Sequence, residues 1–87
     1  MLRIQRSANG NVVFKLIGRL DGESIGELHT LFGTEEQGRP IILDLENLTL
    51  VDRDAVQFLE RCEADSIKIE NCPAYIREWI ARERKAE

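Results

Sequence analysis

Hydrophobic and polar positions change period several times along the chain. Leu2 and Ile4 alternate with Arg3 and Gln5, which is the spacing of a half-buried strand. Asn9-Gly10 follows, a hairpin signal because both residues tolerate positive φ. The run NVVFKLIG, residues 11–18, then predicts a second strand antiparallel to the first. GRLDGES breaks that pattern. Ser24 with Glu27 fits a capping box, with Asp21 as the alternative cap. Ile25, Leu28, Leu31 and Phe32 recur at helical spacing, and His29 lies beside them as a partly buried neutral histidine. Gly33, Gly38 and Pro40 bring this helix to an end.

The next stretch is different. Ile41, Ile42, Leu43 and Leu45 form an almost continuous apolar run, as in a central strand covered on both faces. After Asp52 a helix carries Ala55, Phe58, Leu59 and Cys62 on one stripe. SIKIEN, residues 66–71, alternates again as a fourth strand. Pro73 suits the first turn of a last helix with Ile76, Trp79 and Ile80 on its buried side. From about Arg84 the chain is expected to fray. The order is β-β-α-β-α-β-α. Strands two, three and four are separated by helices, so they should be parallel with right-handed crossovers. The prediction is an α/β single domain over residues 1–87. It has a mixed four-stranded sheet, a β-hairpin followed by βαβαβα, with helices packed on it.

Composition narrows the function. The chain has 87 residues, enough for one modest core and little room for a deep pocket. It is 43% hydrophobic and 32% charged, with no apolar run approaching a membrane span and no signal-peptide stretch at its start. A cytoplasmic protein is expected. The net charge of −4 argues against nucleic-acid binding, and the basic residues of REWIARERKAE are interleaved with acids, as on a solvated helical face. Cys62 and Cys72 are too few for a disulfide framework and lack metal spacing. Both read as small core hydrophobes, and a helix start at Cys72 would favour its thiolate. No metal or cofactor is implied.

The densest charge stands where the third strand feeds its helix, at Asp52, Arg53 and Asp54. Three loops leave the carboxyl ends of the parallel strands: residues 18–23, 48–54 and 71–73. That edge is the usual binding side of an open α/β sheet. Asp21, Asp52 and Asp54 all belong to it. Carboxylates at a helix start are favoured by the unpaired N–H groups and the dipole, so Asp52 is first of all a natural N-cap. Capping explains neither Arg53 nor Asp21 on the neighbouring loop. Asp44 reads equally as structural, binding loop backbone near the same edge.

The segments VVFKLIGRLDGESIGELHTLF and PIILDLENLTLVDRDAVQFL resemble the STAS domain, the fold of bacterial anti-sigma-factor antagonists. The family's Gly-x-Leu-Asp turn is matched by Gly18, Arg19, Leu20 and Asp21, and its Leu-Asp-Leu strand by Leu43, Asp44 and Leu45. The likeness extends from about Val12 to Ile80, and its specificity lies in the order and spacing of the motifs. It implies a non-enzymatic protein-binding module of signalling and transcription regulation. Such a module binds an anti-sigma factor, often a serine kinase, and so frees the sigma factor. The kinase can phosphorylate the second hydroxyl residue of an Asp-Ser-Ser/Thr-Gly turn, and the added charge breaks the interface.

This sequence departs from the family at that turn. Asp52 matches the first Asp, Arg53 replaces the first Ser, Asp54 stands at the phosphoacceptor position and Ala55 replaces the Gly. No hydroxyl remains, and Thr49 lies three residues before Asp52, too early to substitute. The turn is therefore not expected to be phosphorylated. Either Asp54 imitates the phosphorylated state permanently but more weakly, or the surface serves a different partner. The second fits better, because a carboxylate is smaller and less charged than a phosphate and Arg53 partly neutralises it. An Arg flanked by acids also suits bidentate pairing with a partner's carboxylate. The expected partner-facing residues are Asp21, Asp52, Arg53 and Asp54.

Other readings follow from the same features. Some STAS domains are accessory subunits of membrane transporters, contacting an ATPase or the membrane domain, and others assemble into sensory complexes. A receiver-like, Mg²⁺-binding domain would need a longer chain, five parallel strands and a lysine opposite the acids. A hydrolase would need a nucleophile elbow near His29, and Ser24 is better read as a helix cap. GRLDGESIG matches neither phosphate-binding nor dinucleotide fingerprints.

Overall fold

The computed structural model describes residues 2–34 and 40–85, and Gly38 lies outside them. The elements are β1 (Leu2–Asn9), β2 (Asn11–Leu20), α1 (Gly22–Gly33), β3 (Ile41–Val51), α2 (Arg53–Ala64), β4 (Lys68–Glu70) and α3 (Ala74–Lys85). The sheet order is β1-β2-β3-β4. β1 runs antiparallel to β2, while β2–β3 and β3–β4 are parallel. This is the predicted mixed sheet. The hairpin turns at Gly10, whose φ of 84° needs a residue without Cβ. Asn9 pairs across it with Asn11.

The core lies on one face of the sheet. β2 contributes Val12, Phe14 and Leu16, β3 contributes Leu43 and Leu45, and all three helices add to the same cluster. Val13, Ile17 and Ile42 stand outside it. The expectation that β3 is covered on both faces is thus corrected, since its apolar run reflects a central position rather than two layers of helix. α2 buries most, with Ala55, Val56, Phe58, Leu59 and Cys62, whereas α1 buries Leu28 alone. Phe32 links α1 to the rest, 5.5 Å from the Phe14 ring and 6.0 Å from the Phe58 ring. His29 is exposed rather than partly buried, its ring edge-on to Phe58 at 5.1 Å.

β3 is longer than the stretch of β2 it pairs with. Lys15 faces Asp44 and Ile17 faces Asn47, so one residue of β2 answers two of β3. Gly18 then faces Leu48 and Arg19 faces Leu50, which leaves Thr49 without an opposite number. These are β-bulges. Each is held by a side chain. Asp44 Oδ1 accepts from the Glu46 N–H at 3.0 Å and from Asn71 Nδ2 at 3.2 Å. Thr49 Oγ1 donates to the Gly18 carbonyl at 2.9 Å, where Gly18 has φ 99°. The buried positions of β3 consequently move to a spacing of three, at Leu45, Leu48 and Val51. The expected loop from Leu48 is strand as far as Val51, and β4 is three residues rather than the expected six.

α2 ends in a Schellman arrangement. Ser66 N–H donates to the Glu63 carbonyl and Ile67 N–H to that of Cys62 at 2.9 Å, with Ser66 at φ 70°. Pro73 sits just before α3, and its carbonyl accepts from the Ile76 and Arg77 N–H groups. Arg84 does not fray: it pairs with Glu63 at 3.1 Å and Glu60 at 3.7 Å, within α3. Arg77 Nη1 also reaches both Glu63 oxygens at 2.9 Å. The REWIARERKAE segment is therefore clasped to α2 along part of its length. Among the described residues no helix is long and apolar enough to cross a membrane.

Candidate functional site: two helix starts on one rim

Leu20, the last residue of β2, stands beside Val51, the last residue of β3. Each strand passes through a single residue into its helix, Asp21 for α1 and Asp52 for α2. The parallel register therefore puts the two caps side by side. Asp21 Oδ1 accepts from the Ser24 N–H at 3.2 Å and the Ser24 hydroxyl at 3.1 Å. Asp21 is thus the cap and Ser24 its partner, in place of the Ser24–Glu27 box. Asp52 Oδ1 accepts from the Ala55 N–H at 2.8 Å, and its Oδ2 accepts from the Gly22 N–H of α1 at 3.2 Å. One carboxylate thus serves both helices.

Arg19 Nε lies 3.2 Å from Asp21 Oδ2. Desolvation pushes the Asp21 carboxyl up, but the Ser24 hydroxyl and N–H groups together with Arg19 outweigh it and hold the group below its ordinary value. Asp54, in the first turn of α2, approaches Gly22 so closely that a Cβ there would sit 3.0 Å from Asp54 Oδ2. The bare Gly22 lets the Asp54 carboxylate lie against the start of α1.

Arg19, Asp21, Gly22, Glu23, Leu50, Val51, Asp52 and Asp54 line an open groove of about 700 Å³. Three of the four residues expected from the sequence thus share one groove. Arg53 turns to α3 instead, where its Nε lies 3.3 Å from Glu83 Oε1. Gln57 Nε2 donates to the same oxygen at 3.1 Å. The Gln57 hydrogen bond, opposed by desolvation and reinforced by Arg53, holds the Glu83 carboxyl below its ordinary value. Asp44 lies on the same sheet as a brace for the first bulge and the loop after β4.

Sequence reasoning missed Leu50 and Tyr75. They are the large hydrophobic side chains most open to solvent, at 54% and 50% exposure among the described residues. Leu50 faces outward because the extra residue at Thr49 shifts the strand's alternation. Tyr75, early in α3, donates its hydroxyl to the Thr49 carbonyl at 3.3 Å, one residue from Leu50. The run TLV carries no sign of this, since outward projection depends on a bulge in pairing.

The cysteines are poor nucleophiles. Burial pushes the Cys62 thiol up to about 12 and raises that of Cys72, opposing the helix-start effect expected there. Among the described residues no group of three or more His, Cys, Asp or Glu side chains is arranged to hold a metal ion. The rim offers carboxylates, capped helix starts and exposed apolar side chains, which suits recognition.

No family model and no curated protein matches the chain. Solved structures do. The structure of the anti-sigma factor antagonist SpoIIAA in its unphosphorylated form matches 97% of this chain and 81% of its own, with a TM-score of 0.68 and 20% identity. An uncharacterized protein with a SpoIIAA-like fold from Shewanella loihica matches 98% of this chain and 77% of its own, with a TM-score of 0.59 and 16% identity. A structure of Mglu matches 83% of this chain over 19% of its own, with a TM-score of 0.57 and 18% identity. The chain has the STAS-like fold of SpoIIAA.

Proposed function

We propose that this chain is a non-enzymatic protein-binding module resembling an anti-sigma-factor antagonist, which grips its partner along the rim containing Asp21, Asp52 and Asp54. One observation carries the reading. Asp52 joins the starts of α1 and α2, bonding Gly22 at 3.2 Å and Ala55 at 2.8 Å, so the acidic corner and the end of β2 at Asp21 form one continuous surface. The SpoIIAA-like fold supports it, because SpoIIAA is itself described as an anti-sigma factor antagonist. The module acts in signalling from the cytoplasm and has no phosphorylation switch at this turn. Arg53 and Asp54 occupy the positions of the family's hydroxyl residues, and the Thr49 hydroxyl is engaged with the Gly18 carbonyl. Arg53 keeps its place on this surface through the guanidinium nitrogens left free by its Nε contact with Glu83, the side chain being 71% exposed.

The test is photo-crosslinking in the native host, with the reactive residue at position 50 or, as control, at position 68 on the edge strand β4. A defined protein captured from position 50, and lost when Asp54→Lys is added, is expected. Capture from position 68 alone would remove the rim from the proposal. The captured protein's identity, an anti-sigma factor or serine kinase as against a transporter ATPase or a sensory-complex subunit, chooses the pathway.

A further inference from the structure

We infer that the partner's contacting segment is cationic and apolar: an Arg or Lys set beside a bulky hydrophobic side chain. This rests on the binding-module reading and specifies the partner's chemistry. The apolar half comes from Leu50 and Tyr75. Both are more than half or about half exposed, and both sit at this rim, with the Tyr75 ring fixed by its hydroxyl's bond to the Thr49 carbonyl. An exposed aromatic ring tied to the residue before Leu50 is of the type that dominates binding energy. Leu50 lines the groove itself.

The charge of the groove selects the other half. Its lining has four carboxylates, Asp21, Glu23, Asp52 and Asp54, against one guanidinium, Arg19. Two helix starts oppose that negative field, each equivalent to roughly +0.5 charge. They recover about one charge of the three in excess, so the groove stays acidic. Several of its backbone donors are also engaged. The N–H groups of Gly22, Ser24 and Ala55 are already bonded to Asp52 or Asp21. A phosphate would find these donors taken and carboxylates around it.

The carboxylates differ in what remains to them. Asp52 spends both oxygens on backbone N–H groups, and Asp21 spends its own on Ser24 and Arg19. Glu23 and Asp54, by contrast, have no hydrogen-bond or ion-pair partner among the described residues. They stand in the first turns of α1 and α2, and both line the groove. A cation entering between them would be paired without breaking any bond the protein makes, while its apolar neighbour covers Leu50 and Tyr75.

The probe is a pair of short helical peptides, one with arginines and leucines on opposite faces, the other with glutamates replacing the arginines. Each is titrated into the ¹⁵N-labelled chain. The arginine peptide is expected to shift amides of residues 19–23, 50–54 and 75, and to lose affinity as salt is raised. Asp54→Asn and Leu50→Ser, both at exposed positions, should each weaken it about tenfold, equivalent to 1.4 kcal/mol. Glu78→Gln on the solvent side of α3 should not. Equal binding of the glutamate peptide, or shifts spread over the acidic surface and indifferent to Leu50→Ser, would overturn the inference. So would sedimentation showing that Leu50 is covered by a second copy of the chain. The two readings fail separately. Capture from position 50 of a protein whose crosslinked segment is acidic leaves the module intact and removes the cationic partner. Failure of capture at both positions removes the module reading, and capture from position 68 alone removes its rim.

Discussion

The Gly22 N–H of α1 donates to Asp52 Oδ2 at 3.2 Å, although Asp52 caps α2. A residue thirty positions away thus supplies the first turn of a helix with an acceptor, and the two βα units share one joint. Asp52→Ala should remove the acceptor from both helix starts. The expected loss is about 1–2 kcal/mol, or roughly 4–8 °C in melting temperature per kcal/mol at this size. Asp52→Asn should retain most of it, since its side-chain oxygen can still cap. Urea denaturation of both variants checks this.

Gly22→Ala tests the approach of Asp54 separately. The added Cβ would meet Asp54 Oδ2 at 3.0 Å, the end of a side chain that can swing away. Stability is therefore expected to change by less than about 0.5 kcal/mol. The Asp54 resonances and the binding of any partner at the rim should change clearly. A large loss of stability instead would mean that Asp54 is fixed where it stands.

Arg53→Glu would face Glu83 with a like charge in place of an ion pair at 3.3 Å. The pair is exposed on the Arg53 side, so the melting temperature should fall by no more than a few degrees. Adding Glu83→Arg should restore it. Weakened partner binding that survives this restoration would assign Arg53 to the interface itself, whereas binding recovered with the pair would make it a support for α3.

Stability should decline in acid. Asp21 and Glu83 both titrate below their ordinary values of 3.8 and 4.5, so the unfolded chain takes up protons before the folded one does. Their contribution is complete above about pH 4.5 and is lost as the pH falls through the folded-state values. Asp21→Asn should flatten that part of a melting-temperature profile. An unchanged profile would show that Asp21 is not held by Ser24 and Arg19 in solution.

Ser66 occupies a left-handed position at the end of α2 with φ 70°. Ser66→Gly relieves the Cβ crowding of that conformation. A gain of up to about 1 kcal/mol is expected, since the cost for an ordinary residue is roughly 1–2 kcal/mol and glycine returns part of it as unfolded-state entropy. Thermal unfolding reads the difference.

Much of this was legible from residue pattern. Alternation at Leu2 and Ile4, helical spacing at Ala55, Phe58, Leu59 and Cys62, and the crossovers they imply are local signals, and the sheet followed from them. The rim followed as well, because Leu20-Asp21 and Val51-Asp52 end neighbouring parallel strands. What the pattern hid depends on pairing between distant segments. The bulges of β3 are set by its register with β2, so neither the outward Leu50 nor the bracing roles of Asp44 and Thr49 could be read from LDLENLTLV. The apolar run at Ile41–Leu43 could not say which face carried helices. Arg53 looked free because Glu83 lies on another helix.

The unmatched Thr49 gives the surface an origin in strand length. Because β3 carries one more residue than β2 can answer there, two successive side chains, Thr49 and Leu50, point away from the interior before Val51 returns to it. Deleting Thr49 would realign the ladder with Leu50 still outward opposite Arg19 and Val51 still inward opposite Leu20, but it would remove the carbonyl that holds the Tyr75 hydroxyl while leaving every acid in place. Mending the irregularity would thus release the aromatic ring from the strand without touching a single charge.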